Sequence, residues 1–133
     1  MTIQAIADRV GLSASPCLRR IRQMEERGVI TGYSALINQE AVNLPVSVFI
    51  SIKLERQIAA ELDRFAHSIE SWPEVIECYL MTGQQDYLMR VVCADLSAFE
   101  EFIREKLTQI EGVRSIESSF ALGQIKYSRV LPL

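Results

Sequence analysis

Apolar residues recur along this chain with two different periods. Near the N-terminus the period is helical: Ile3, Ile6, Ala7 and Val10 share one face, and Thr2 is placed to cap a helix over Thr2 to Val10. Gly11 follows where such a helix stops, and Leu12 sits in the turn as an apolar plug. Ser15-Pro16 then predicts a second helix, with serine as N-cap and proline at the first helical position. Leu18, Ile21 and Met24 form its apolar stripe, while Arg19, Arg20, Arg22 and Arg27 lie largely elsewhere, and Gly28 ends it. Helix, tight glycine turn and arginine-bearing helix make the helix-turn-helix pattern. An amphipathic helical hairpin with a solvated basic face has the same spacing. Such domains normally carry a further helix behind the pair. The chain begins almost at the first helix, so the unit is expected to be N-terminally incomplete, with Ile3, Ile6, Leu18 and Ile21 short of cover.

Beyond residue 30 the pattern changes. Tyr33 to Asn38 alternates loosely and predicts a linking strand. After Pro45, Val46, Val48, Ile50 and Ile52 alternate with Ser47, Phe49, Ser51 and Lys53, a period-two strand with one very apolar face. Ile58 to Ile69 is predicted helical, with Ile58, Leu62, Phe65, Ala66 and Ile69 on one face. Val75 to Thr82 is a strand, Gly83 to Asp86 a turn, and Tyr87 to Cys93 a strand. Leu96 to Ile110 is a helix, Gly112 its stop, and Val113 to Leu122 a strand; Gln124 to Leu133 is a tail able to add a last strand. The order is β-α-β-β-α-β, the ferredoxin-like split βαβ arrangement. Pro73-Glu74-Val75 through Gly83 resembles Glu111-Gly112-Val113 through Gly123, a hint of an internal repeat. The fold class is therefore α+β: residues 1–39 a partial helix-turn-helix with its linking strand, residues 40–133 a four-stranded sheet with both helices on one face. Phe49, Tyr79, Met89 and Phe120 are candidates for the other face, whose apolar character predicts a sheet-to-sheet dimer.

Composition adjusts this picture in three places. A hydrophobic fraction of 49% supports a packed core, and no apolar run reaches the length of a bilayer span, so a cytoplasmic protein without a membrane partner is expected. Cys17, Cys78 and Cys93 are odd in number and unclustered, and His67 is the only histidine, which argues against a disulfide framework and a metal site. The net charge of −3 conceals an asymmetry. Residues 1–39 hold five arginines against Asp8, Glu25 and Glu26, a net of +2; residues 40–133 hold nine basic and fourteen acidic side chains, a net of −5. The positive segment is the one a polyanion prefers. In a helix-turn-helix the second helix enters the major groove; Ser13, Ser15 and Cys17 are small enough for close approach, and the arginines suit phosphates or a guanine edge.

Ser15-Pro16-Cys17-Leu18-x-Arg20, followed by Met24-Glu25-x-x-Gly28-x-Ile30-x-Gly32-Tyr33, resembles the helix-turn-helix of the Lrp/AsnC (feast/famine) regulators. Gly83-x-x-Asp86-Tyr87 between two strands resembles the loop of their RAM (regulation of amino-acid metabolism) domain. The resemblance runs from about Thr2 to the C-terminus. It implies a transcriptional regulator of amino-acid metabolism that binds double-stranded DNA, forms dimers that assemble further, commonly to octamers, and holds a small amino-acid effector between dimers. Carried over by position, it implies DNA contacts at Ser13, Ser15, Pro16, Cys17, Arg19, Arg20 and Arg22. It implies effector contacts at Met81, Thr82, Gly83, Gln84, Gln85, Asp86 and Tyr87, with Ser118 and Ser119 contributing from the same or a neighbouring dimer. The sequence departs from the family at Gln84-Gln85, where an acidic residue followed by an aromatic is common, and the family's first helix is expected to be absent from it. Asp86-Tyr87-Leu88-Met89-Arg90-Val91, with Ser118-Ser119-Phe120-Ala121 and Ile125-Lys126-Tyr127, looks like the subgroup that answers to cysteine.

An amino acid needs an acceptor for its ammonium and donors for its carboxylate. Asp86 is the candidate acceptor; the turn N–H groups near Gly83 and the Thr82 and Ser119 hydroxyls are the candidate donors. A plain hairpin turn explains Gly83 and Asp86 equally well on local grounds. No nucleophile-base pair, metal cluster or phosphate loop is apparent, so neither an enzyme nor a resident cofactor is expected. A sensor and assembly module without DNA binding of its own is the competing reading.

Overall fold

The computed structural model describes residues 1–128 and 130–132. The chain forms two compact units, Met1–Leu36 and Ile37–Leu133. In the first, α1 (Ile3–Val10) is capped by Thr2, whose Oγ1 accepts from the Ala5 N–H. Gly11 takes φ +67°, a left-handed conformation that closes the helix and brings the Leu12 N–H onto the Ala7 carbonyl at 2.9 Å. The second helix, α2, runs Ala14–Glu26 with Ser13 as N-cap, so it begins before Ser15-Pro16. Pro16 is tolerated there because the first-turn N–H groups have no intrahelical partner to lose. Ala7 and Cys17 are buried, whereas Ile3, Ile6, Leu18 and Ile21 are only half-buried. No strand forms over Tyr33 to Asn38, where every side chain is exposed; alternation alone supplies no partner strand.

The second unit is a four-stranded antiparallel sheet in the order β2-β3-β1-β4. Its strands are β1 (Val46–Leu54), β2 (Val75–Leu80), β3 (Tyr87–Cys93) and β4 (Val113–Phe120). Helix α3 (Ala59–Glu70) connects β1 to β2, and α4 (Leu96–Glu105) connects β3 to β4. Each βαβ half thus contributes one central and one edge strand, as the split arrangement requires. The alternation in β1 is realised directly: Val48, Ile50, Ile52 and Leu54 are buried. They join Phe65, Met89, Val91, Phe99, Phe102 and Leu107 in a single core. Trp72 meets Phe102 edge-on at 5.6 Å, and Phe99 meets Phe120 at 5.0 Å.

Register corrects two expected facings. Met89 pairs with Ile50 and Phe120 with Val48, so both lie on the core side. Phe49 and Tyr79 do face away, paired with Arg90 and Leu88. Helix α4 stops at Glu105, five residues short of Ile110, and the chain tightens into a 3₁₀ turn over Leu107–Gln109. That turn buries Leu107 completely and lets Lys106 reach Glu74 at 2.6 Å. Strand β4 ends at Phe120, and no strand forms among the described residues from 124 to 132; Arg129 and Leu133 lie outside the described residues. Among the described residues no helix is long and apolar enough to cross a membrane, and no cluster of potential metal ligands occurs.

Candidate functional site

Helix α2 sorts its residues by spacing. Ala14, Leu18 and Ile21 fall at i, i+4 and i+7 and are half-buried; Ser15, Arg19 and Arg22 fall on an exposed line of the same spacing. Arg20 is exposed on a flank, and Ser13 is exposed at the N-cap. Arg19, Arg20 and Arg22 make no ion pair among the described residues, so three guanidinium groups face solvent uncompensated. Cys17 is a correction: at 3% exposure its thiol is part of the packing and not open to a groove. Pro16 is half-buried.

The second cluster is the loop between β2 and β3. Its base is held by Asp86, which is 3% exposed. One carboxylate oxygen accepts from the Leu54 N–H at 2.7 Å, the other from the Gln57 amide. The Asp86 N–H donates to the Ile52 carbonyl and its carbonyl accepts from Met81, each at 2.8 Å. Asp86 is therefore not the open acceptor expected from sequence: its carboxylate is buried, and each oxygen already has a donor. Tyr87, the next residue, is also buried. Its ring stacks on Phe65 with centroids 4.4 Å apart, and its hydroxyl donates to the Leu62 carbonyl at 3.2 Å. Burial, with nearby Cys78 and Asp86, raises the Tyr87 pKa.

Above this base the loop is open. Met81, Thr82, Gly83 and Gln84 are exposed, and Gly83 takes φ +108°, which other residues adopt only with strain. The Lys53 ammonium donates to the Gln84 carbonyl. The backbone N–H groups of Thr82, Gly83, Gln84 and Gln85 find no acceptor among the described residues. Gln85 Oε1 is buried without a hydrogen-bond partner. Lys53 and Gln57 are residues that sequence reasoning missed, because the register of β1 against β3 is what brings them to the loop. Ser118 and Ser119 are not brought to it. They pair with Ile50 and Phe49 on the far side of β1, and Ile50 lies about 13 Å along the strand from Leu54.

A groove of about 340 Å³ lies elsewhere, between α3 and the edge strand β2, lined by residues including Ile69, Val75, Ile76 and Cys78. Burial pushes the Cys78 thiol up to about 11. Little thiolate is then present at pH 8, and iodoacetamide is expected to modify Cys78 in the folded chain roughly a hundredfold more slowly than a free thiol. Peptide mass spectrometry over a time course checks this; labelling at the free-thiol rate would contradict the burial.

Comparison with known proteins decides the family. Residues 47–131 match the model of the Lrp/AsnC ligand binding domain, and residues 1–31 match a winged helix-turn-helix DNA-binding model. The chain belongs to the Lrp/AsnC family of transcriptional regulators. It is 43% identical over 128 residues to the Bkd operon transcriptional regulator of Pseudomonas aeruginosa, covering 96% of this chain and 84% of that protein. It is 35% identical over 133 residues to the DNA-binding transcriptional activator DecR of Escherichia coli, covering 100% of this chain and 88% of that one. Among solved structures, a transcriptional regulator of Neisseria meningitidis crystallised with L-Met superposes with TM-score 0.94 at 39% identity, covering 99% of this chain and 85% of the other. These relatives are regulators and not enzymes. The Lrp/AsnC chain described here has the same two parts, a helix-turn-helix and a ligand-binding segment.

Proposed function

We propose that this regulator senses a small amino acid at the loop Met81–Gln85 and reads double-stranded DNA with α2. The observation that carries the first half is the loop's run of four unpartnered backbone N–H groups above a pinned base. Such a run suits a carboxylate, and Thr82 adds a hydroxyl. The acceptor role passes from Asp86 to Gln85, whose buried Oε1 lacks the donor that an ammonium supplies. Asp86 and Tyr87 then position the loop. The Neisseria relative was crystallised with L-Met, which favours an unbranched or sulfur-bearing side chain over a charged one, in line with the cysteine-like subgroup. Met81 is an exposed apolar contact for it.

Ser118 and Ser119 join the loop only from another copy, which fits a ligand held between dimers of an octamer. DNA contacts fall on Ser13, Ser15, Pro16, Arg19, Arg20 and Arg22, without Cys17. Residues 1–39 act as the DNA-reading part and residues 40–133 as the sensing and assembly part, in the cytoplasm. The coupling runs through assembly: a ligand that favours one assembly state shifts DNA occupancy.

A thermal-shift panel of the twenty amino acids tests the sensor. Binding to the folded state raises the melting temperature, and methionine and cysteine are expected to give the largest rises. A flat panel at millimolar concentration would remove the sensor assignment.

A further inference from the structure

We infer that Lys53 is a positioning residue of the effector site: its ammonium turns the Gln84–Gln85 peptide so that the Gln85 N–H meets the carboxylate of a bound amino acid. The inference rests on the sensing function proposed above and names the group that brings positive charge to that site.

Strand β1 places Lys53. Ile52 and Leu54 on either side of it are buried in the core, so Lys53 projects from the opposite face, as Phe49 and Ser51 do. In the sheet it pairs with Ser115 of β4. An ammonium on an open sheet face normally extends into water. Lys53 is instead half-buried and turned to the loop between β2 and β3, where it donates to the Gln84 carbonyl. Among the described residues it has no carboxylate within ion-pair distance. Met81, Thr82, Gly83, Gln84 and Gln85 carry no charge of their own. Lys53 is therefore a cation held against a neutral loop, without a counter-ion among the described residues.

The peptide between Gln84 and Gln85 is trans, so its C=O and N–H point to opposite edges of one plane. With the carbonyl held at Lys53, the Gln85 N–H is directed away from the ammonium, and it has no acceptor among the described residues. A charge-assisted bond to the carbonyl also polarises the peptide and makes its N–H a stronger donor. Gln85 then offers a bound amino acid that N–H for its carboxylate and the buried, unpartnered Oε1 for its ammonium. The positive charge behind the peptide favours an anionic group at the N–H, which points to a ligand with a free carboxylate.

The test uses the full-length chain and the variants Lys53→Met and Lys53→Arg. The probe is L-methionine, or the amino acid of the thermal-shift panel that gives a larger rise. Lys53→Met keeps the length of the side chain and removes its charge and donors. In titration calorimetry it is expected to bind the probe about tenfold or more weakly, the weight of one hydrogen bond to a charged group. Lys53→Arg keeps charge and donors and is expected to return to within about threefold of the wild type. In free Lys53→Met the NMR amide signal of Gln85 is expected to move while those of Leu54 and Asp86 stay, since the Asp86 anchor remains. Equal affinity of Lys53→Met and the wild type would overturn the role of Lys53, as would an unmoved Gln85 signal or a failure of arginine to restore binding. Shifts at Leu54 and Asp86 as large as at Gln85 would mark a general loss of the loop anchor and overturn the specific role. A wild-type chain that responds to no amino acid of the panel removes the sensing function itself, and the role of Lys53 with it.

Discussion

Asp86→Ala is expected to cost about 3 kcal/mol of folding stability and to abolish the melting-temperature rise with any amino acid. The cost follows from what the carboxylate does. It is buried and accepts from the Leu54 N–H and the Gln57 amide. Hydrogen bonds to a charged group contribute about 1.5–3 kcal/mol each, and removing the acceptor leaves the buried Leu54 N–H unsatisfied. The functional loss is indirect. Asp86 touches the loop through its backbone, and its side chain ties that backbone to the end of β1. Without the tie, Thr82 to Gln85 lose the anchor that holds the proposed carboxylate-binding N–H groups in place. Urea unfolding of the two proteins checks the stability, and the amino-acid panel checks the binding. Asp86→Asn keeps one acceptor oxygen and is expected to fall between the two. A drop below about 1 kcal/mol for alanine would show that the two hydrogen bonds do little beyond what water offers.

Phe65→Ala is expected to cost about 3–5 kcal/mol, the range for removing a buried phenylalanine ring. Phe65 is 1% exposed at the centre of the core and stacks on Tyr87 at 4.4 Å. Helix α3 presents it, and its loss leaves a cavity between that helix and β3. Tyr87 directly follows Asp86, so the ring that seats Tyr87 also steadies the base of the loop between β2 and β3. The urea midpoint is expected to fall with the denaturant slope unchanged, the signature of lost stability without a changed unfolded state. Combined with Asp86→Ala, the two costs are expected not to add, because the residues share one packed unit. Strict additivity would show that core packing and loop anchoring are independent.

Some of this was legible in the sequence. Strand β1 declares itself through strict alternation, and Tyr87–Cys93 emerges with the boundaries read from sequence. Gly11 and Gly28 mark helix ends because a left-handed residue there is cheap only for glycine. The family pattern in Ser15-Pro16-Cys17 and Gly83-x-x-Asp86-Tyr87 pointed to a helix-turn-helix at one end and a ligand-binding domain at the other, the two segments the family models match. These are local signals: a period, a cap, a turn, a short motif.

Tertiary structure decided everything that depends on register. Met89 and Phe120 look like outer-face residues until β1 sets them opposite Ile50 and Val48. Tyr33 to Asn38 alternates without a partner and stays irregular, since a strand is stable only when paired. Cys17 lies within a contact motif but inside the helical packing. Asp86 shows the difference most sharply. Its residue type suits an ammonium, yet residues more than twenty-eight positions earlier, Leu54 and Gln57, already hold its oxygens. Sequence spacing reports which face a side chain shares with its neighbours along the chain. Which distant donors satisfy a buried carboxylate is set by strand order and register, and those are fixed only when the whole core packs.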